Sequence, residues 1–313
     1  MVEQIDQAMN PKEIYEAHWL HHIDKLYCGE SSLNCSIDTA IARLENSVAA
    51  DEWFLEKCTI GYPVPLLDIF STTNYGNILQ GQIFTRLKES FILSNIAMSS
   101  NIDWIVELGS GNGLNLAKIW RNGGPKDALY IGAEFTNAGR KCSEVLASVE
   151  DAYHFKSLPF DYTAPDFTSV IPQTGRGVVF TCFSIEQIPI LKGDFIQKLA
   201  GIQSIVKCFH IEPITWQLSG ILERSEVINA ASASTEVLRY VEKVMYKRSH
   251  VSRYNLNFGE LVREGIETGI IEIDHDCSYK YFSAHRHDLF CSSLVWRAKR
   301  SLTDNSPFNV ARL

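Results

Sequence analysis

The stretch Ile105-Val-Glu-Leu-Gly-Ser-Gly-Asn-Gly-Leu-Asn-Leu-Ala-Lys-Ile-Trp most limits what this chain can fold into. A short apolar run ends in an acid, Glu107. A turn with glycines at 109, 111 and 113 follows, and a helical pattern begins at Leu114. Glycine lets the backbone turn tightly and lets a ligand approach without meeting a Cβ. Amides at a helix start lack intrahelical partners and face whatever lies above them. The pattern therefore predicts a buried strand, a ligand-facing turn and a helix, the opening of a βαβ unit.

The texture on either side agrees. From about Asn101, apolar runs of four to eight residues alternate with helical segments, as in a parallel sheet buried on both faces. Strands are read at Trp104–Leu108, Leu129–Glu134, Tyr153–Ser157, Val178–Phe183 and Ser204–Ile211, with helices at Leu114–Arg121, Asn137–Val149 and around Asp194–Ala200. After Glu212 come helical patterns at Ser234–Lys247 and Phe258–Thr268, then two strands, Ile270–Cys277 and Phe290–Arg297, suited to an antiparallel closing pair. Residues 1–100 read as a mainly helical cap. Pro11–Leu20, Thr39–Ala50 and Gln82–Met98 have helical periodicity, whereas Gly61-Tyr-Pro-Val-Pro and Ser71–Asn77 read as loop. Residues 101–313 would form the ligand-binding domain. The expected class is α/β, a doubly wound, mostly parallel sheet of seven strands.

Two ligand classes use a glycine turn of this kind. A dinucleotide pyrophosphate wants G-x-G-x-x-G. Here Leu114 stands where that fingerprint has its last glycine, and Glu107 suits an ammonium better than a phosphate. The sequence acid-x-Gly109-x-Gly111-x-Gly113 resembles the first motif of the class I S-adenosylmethionine-dependent methyltransferases. The resemblance covers about residues 101–215. It implies a Rossmann-like fold and S-adenosyl-L-methionine as cofactor, with Glu107 at its amino-acid end and Gly109, Ser110, Gly111, Asn112 and Gly113 passing beneath it. Glu134, ending the second strand, would take the ribose hydroxyls. Asp161 would take the adenine amino group, and Phe135 and Phe183 would complete the cofactor set.

An acceptor would lie beyond the ends of the fourth and fifth strands. His210 is the first candidate for a base by its ordinary pKa, with Glu186 and Glu212 as substitutes or partners. The polar run Lys247–Asn257, including His250, Arg253, Asn255 and Asn257, could bind a hydroxyl-rich or anionic acceptor, or be a solvated loop. Tyr62, Asn74, Tyr75 and Asn77 are further candidates for the acceptor side. Ala284-His-Arg-His-Asp288 reads as a polar turn rather than a metal site, and no metal is expected. Short pieces, Ser184–Ile188, His210–Ile214 and Tyr254–Asn257 among them, resemble bacterial methyltransferases of surface-glycan sugars. That likeness implies O-methylation of a sugar or a related small acceptor. N-methylation, a nicotinamide-dependent oxidoreductase and a non-catalytic partner of the same fold are the alternatives.

Composition narrows the class. With 29 Lys+Arg against 37 Asp+Glu, the net charge is −8, and no basic stripe suggests a nucleic-acid partner. No apolar run approaches the roughly 20 residues of a membrane span, and the first residues do not read as a signal peptide. Eight scattered cysteines without a CxxC pair read as free thiols in a reducing cytoplasm. A homodimer is compatible with the sequence but not specified by it.

Overall fold

The computed structural model describes residues 11–28, 33–49, 74–222, 254–286 and 289–300, with a few helical positions between 242 and 250. The apolar run 104–108 forms β1 (Trp104–Leu108), and the next forms β2 (Leu129–Glu134), both nearly fully buried. β3 (Phe155–Pro159), β4 (Gly177–Cys182) and β5 (Ile205–Glu212) follow. These five strands pair in parallel, with β1 between β2 and β4.

The sheet is closed by antiparallel strands. β8 (Leu289–Ala298) lies against β5, with Cys208 opposite Trp296 and Ile211 opposite Ser293. Its other edge carries two short pieces, β6 (Ile271–Ile273) and β7 (Tyr279–Arg286). Trp296 pairs with both Cys208 and Ile273, and Ser293 with both Ile211 and Tyr279. β6 and β7 therefore share one side of β8, as one outer strand broken at residues 274–278. The eight strands run β3-β2-β1-β4-β5-β8-β6, with β7 beside β8. Among the described residues the sheet thus has the expected seven positions, and the outermost, beyond β8, is split between β6 and β7.

Side chains alternate across the sheet as the period of two requires. Trp104, Val106 and Leu108 enter one core, whereas Ile105, Tyr130, Phe180 and Phe209 enter the other. The first core is covered by α6 (Phe167–Val170), α7 (Phe195–Ala200) and α8 (Phe258–Glu267). The second is covered by α4 (Leu114–Arg121) and α5 (Asn137–Ala147), together with α1 (Pro11–Tyr27), α2 (Ile37–Ala49) and α3 (Asn74–Ala97). The described part of the first 100 residues thus shares its apolar core with the sheet, through Leu26, Ile41, Leu44, Ile92 and Ile96. Lys118 of α4, largely buried, pairs with Glu45 of α2 and Glu89 of α3, and Arg121 forks onto Asp38.

Several boundaries differ from expectation by a few residues. α3 begins at Asn74, so residues 74–77, read as part of a loop, form its first turn; residues 71–73 lie outside the described residues. β3 starts two residues later than predicted, where pairing with β2 begins at Phe155 opposite Tyr130; Tyr153 before it packs against Trp120 and Tyr130. Tyr62, Arg253 and most of the helical pattern at 234–247 lie outside the described residues.

Candidate functional site

The chain passes from β1 outward to β2 and β3, then returns to lay β4 and β5 on the other side of β1. The sheet's order reverses between β1 and β4, and ligands of such sheets bind beyond the carboxyl ends at that point. There the turn after β1 meets the turn after β4. Gly109, Gly111 and Gly113 have φ of +72°, +54° and +76°, a region that L side chains avoid. A Cβ on Gly109 would stand 2.4 Å from Ser184 Cβ, and one on Gly111 would stand 2.7 Å from Trp19 Cζ2. Both conformation and packing demand glycine.

The turn's amides are largely spent inside the protein. Those of Gly109 and Ser110 donate to Ala133 O, that of Gly113 to Ser110 O, that of Gly111 to Glu134 Oε2 at 2.9 Å, and that of Leu114 to Asn112 Oδ1. A pyrophosphate would need such amides turned toward it, so this turn is poorly made for one.

Its charges point the same way. Glu107 is buried at the end of β1 (1% exposed). Its Oε1 accepts a 2.6 Å hydrogen bond from Asn115 Nδ2, and its Oε2 is buried with no hydrogen-bond partner among the described residues. Burial raises its pKa to about 8, against the pull of Asn115 and the Lys88 ammonium, and the nearby Glu134 and Glu212 push in the same direction as burial. A buried acceptor with an empty lone pair is costly unless something completes it. The cheapest completion is a cation carrying N–H groups.

Glu134 lies on the same side, two residues beyond Gly132, the register partner of Glu107. Its Oε1 accepts from the Thr136 amide and hydroxyl, at 2.9 and 2.7 Å. With Gly111 on Oε2, three of about four acceptor positions are used. Phe135 beside it is 41% exposed, a large ring left open at the end of β2. Asp161, half-buried after β3, accepts from Thr163 N and Oγ1 through one oxygen, Oδ1. The carboxylates of the cofactor set are thus arrayed along the carboxyl ends of β1, β2 and β3, as the strand order dictates.

On the other side of the reversal, Phe183 has φ of +54°, a strained conformation for an aromatic residue. Its amide is held by Ile211 O, so the turn is pinned by β5. Glu212 closes β5 fully buried, and its carboxylate accepts from the Ser184, Ile185 and Glu186 amides at 3.2–3.3 Å. Burial pushes Glu212 up to about 7 against those bonds. It is a clamp for the turn after β4. Ser184 Oγ and Tyr162 Oη both reach Leu108 O, at 2.9 Å each, locking this turn to the glycine turn.

Glu186 is buried at the start of that turn, with Gln187 Nε2 on its Oε1 at 2.7 Å. It lies near Tyr15, whose hydroxyl is pushed up by burial and then by the Glu186, Tyr254 and Glu134 environment. His210 lies elsewhere. Its side chain enters the sheet interior (1% exposed), with Nε2 accepting from Trp296 Nε1 at 2.9 Å and Nδ1 at 3.0 Å from Thr181 Oγ1. Accepting at Nε2 leaves the proton on Nδ1, and burial drives the pKa down to about 3. Both nitrogens are taken, so the expectation of His210 as base is corrected: it is a core histidine.

The polar run before α8 is structural as well. Asn255 takes the Asn257 and Phe258 amides on Oδ1 and donates to Ile188 O, while Asn257 brackets Leu191 through both its amide atoms. These asparagines fix the loop after β4 rather than facing an acceptor. Ala284–Arg286 belongs to β7, and the described residues contain no group of metal-ligating side chains.

α1 supplies what the sequence did not reveal. Glu16 accepts from the Asn137 and Ala138 amides, both at 3.0 Å, at the start of α5. His22 Nδ1 meets Asn112 Nδ2 at 2.9 Å, Trp19 lies on Gly111, and Lys12 stands 4.7 Å above the Phe135 ring. α1 therefore bridges the glycine turn and the end of β2. Only its run His18-Trp-Leu-His-His, aromatic and imidazole side chains on successive turns, hinted at more than a packing role.

The strand order, the antiparallel closing hairpin and the acid-tipped β1 leading into a glycine turn make this the Rossmann-like fold of class I S-adenosylmethionine-dependent methyltransferases. No family model matches the sequence, and no curated protein matches it. Solved structures of similar layout include magnesium protoporphyrin IX methyltransferase from Synechocystis PCC 6803, crystallised with S-adenosylhomocysteine. It is 9% identical over 83% of this chain and 99% of that one, with a TM-score of 0.45. Geranyl diphosphate C-methyltransferase from Streptomyces coelicolor A3(2) is 13% identical over 94% and 99%, also at 0.45. The N-terminal domain of EvdMO1 with S-adenosylhomocysteine is 13% identical over 73% and 85%, at 0.39. This chain spans 40% of the length of whole EvdMO1. At such identity, the acceptor and chemistry of each neighbour stay with that neighbour.

Proposed function

We propose that this protein transfers a methyl group from S-adenosyl-L-methionine to a hydroxyl of a small acceptor, a sugar or a related metabolite. The observation that carries the proposal is the buried Oε2 of Glu107, with no partner among the described residues, beside a glycine turn at the sheet's reversal point. It fits the cofactor's ammonium group. The same residues disfavour a nicotinamide dinucleotide, since the turn's amides are engaged and a carboxylate stands beside the place a pyrophosphate would take.

The residues present fit the rest of the cofactor. Glu107 would hold its ammonium. Glu134 has about one acceptor position left for a ribose hydroxyl, Phe135 offers an open ring to the adenine, and Asp161 has its Oδ2 for the adenine amino group. Bound S-adenosylmethionine supplies an electrophilic methyl on a sulfonium. The acidic groups at the ends of β1, β2, β4 and β5 suit such a cation, whose binding in turn favours the ionised form of Glu107.

For the acceptor side, Glu186 replaces His210. It sits just after β4, within electrostatic reach of Tyr15, and a carboxylate there can orient a hydroxyl and take its proton as the oxygen becomes a nucleophile. Glu212 holds the Glu186 backbone, which makes it a positioning residue. The free thiols among the described cysteines support a cytoplasmic setting.

Titration calorimetry with S-adenosylhomocysteine, followed by methyl-label transfer to a panel of sugars and hydroxylated metabolites, tests the proposal. Expected are binding, transfer to at least one hydroxyl, and a Glu186→Gln rate about 100-fold or more below wild type with cofactor affinity kept. Absence of cofactor binding would overturn the proposal, and label transferred only to amines would overturn its O-specificity.

A further inference from the structure

We infer that Lys88 and Asn115 are positioning residues that aim Glu107 at the amino-acid end of the cofactor, giving the site its preference for a ligand with an ammonium over the bare nucleoside. The inference rests on the cofactor reading above and concerns residues outside the glycine motif.

The geometry is a relay across three elements. Lys88 Nζ, on α3, donates to Asn115 Oδ1 at 2.8 Å, and Asn115 Nδ2, on α4, donates to Glu107 Oε1 at 2.6 Å. An asparagine amide has one accepting and one donating end. With the ammonium on its oxygen, Asn115 has its NH2 left for Glu107. Flipped, it would set N–H groups against the ammonium and an oxygen against the carboxylate, repulsive on both sides. Lys88 therefore selects the Asn115 orientation. Asn115 in turn occupies one oxygen of Glu107 and leaves Oε2, which is buried and has no partner among the described residues, as the open oxygen where a cation can complete the carboxylate.

The charges facing Glu107 are consistent with this. Asn115 and Lys88 favour its ionised form, while burial, Glu134 and Glu212 oppose it. Removing the relay would leave a buried carboxyl that holds its proton more firmly and has no fixed direction. Such a group is a poor partner for an ammonium and makes no difference to a nucleoside that lacks one.

The test compares two ligands by calorimetry. S-adenosylhomocysteine has the amino-acid end, and 5′-methylthioadenosine is the same thioether nucleoside without it. Wild type is expected to bind the first more tightly. Lys88→Met and Asn115→Ala should each lower affinity for S-adenosylhomocysteine about tenfold and leave that for 5′-methylthioadenosine within about twofold. Lys88→Arg, which keeps the donor, should recover most of the difference. Unchanged S-adenosylhomocysteine binding in Lys88→Met and Asn115→Ala would overturn this inference alone. So would an equal loss for both ligands, which is the mark of a merely structural role. A wild type that binds neither ligand would overturn the cofactor reading and this inference together.

Discussion

Glu107 and His210 stand at similar depth, and burial disfavours the charged form of each. For Glu107 this means a proton retained to about pH 8, and for His210 a proton refused until about pH 3. The two differ in partners. His210 has both nitrogens satisfied, so His210→Ala would orphan the Trp296 N–H, take one of two partners from the Thr181 hydroxyl and leave a cavity. A loss of about 2–4 kcal/mol is expected in denaturant unfolding, with the turnover of folded enzyme within about threefold of wild type. A far larger loss of turnover in folded protein would return His210 to the chemistry. The place of Glu107 at the end of β1 was legible in the sequence because its signal is local, an acid two residues before a glycine turn. His210 was not, because its satisfying partners lie 29 and 86 residues away along the chain. No spacing rule shows a hydrogen bond that only the sheet's register creates. Lys88 and Asn115 escaped for the same reason, being brought to Glu107 by the packing of α3 and α4.

Among the described residues, α1 and the turn after β4 also frame the candidate site from outside the glycine motif. Glu16 joins α1 to the α5 N-terminus, where its charge also meets the positive end of the helix. Glu16→Ala should cost about 1 kcal/mol and raise the exchange rate of the Asn137 and Ala138 amides, read by hydrogen exchange. Unaltered protection would mean that α1 is held by its apolar face alone. Glu212 carries three amides of the other turn. Glu212→Ala should lower stability by about 2–4 kcal/mol and reduce cofactor affinity as the turn loosens, as thermal unfolding and calorimetry would show. The strands from β1 to β5 could be read nearly to the residue, since runs such as Trp104–Leu108 and Leu129–Glu134 are apolar, short and bounded by turn formers. The outer strand could not. Its break at 274–278 leaves two pieces whose union is visible only through their common partner β8.

The whole molecule joins these carboxyls to the stability of the fold. Glu107 and Glu212 have folded pKa values of about 8 and about 7, above their ordinary 4.5. Below pH 4.5 both are neutral, folded or unfolded, and their contribution to stability is fully present. It is lost as pH rises through 7 and 8, by at most about 1.4 kcal/mol per pH unit for each group. His210, depressed to about 3, acts oppositely: its contribution is present above pH 6.5 and lost as pH falls toward 3. Ligand-free protein should therefore lose stability between pH 6 and 8.5 in urea unfolding, and Glu107→Gln should flatten that slope. An unchanged slope would mean that Glu107 ionises freely. The α/β class followed from the sequence because alternation of strands and helices constrains the whole chain. The folding of α1–α3 onto the sheet's own core did not follow, because an apolar helix face does not name what it will cover. One measurement bears most directly on the function: the crystal structure of the protein with S-adenosylhomocysteine. The ligand's amino group should lie within hydrogen-bond distance of Glu107 Oε2, its ribose at Glu134 and its adenine against Phe135. A ligand bound elsewhere, or one whose amino group turns away from Glu107, would contradict the assignment.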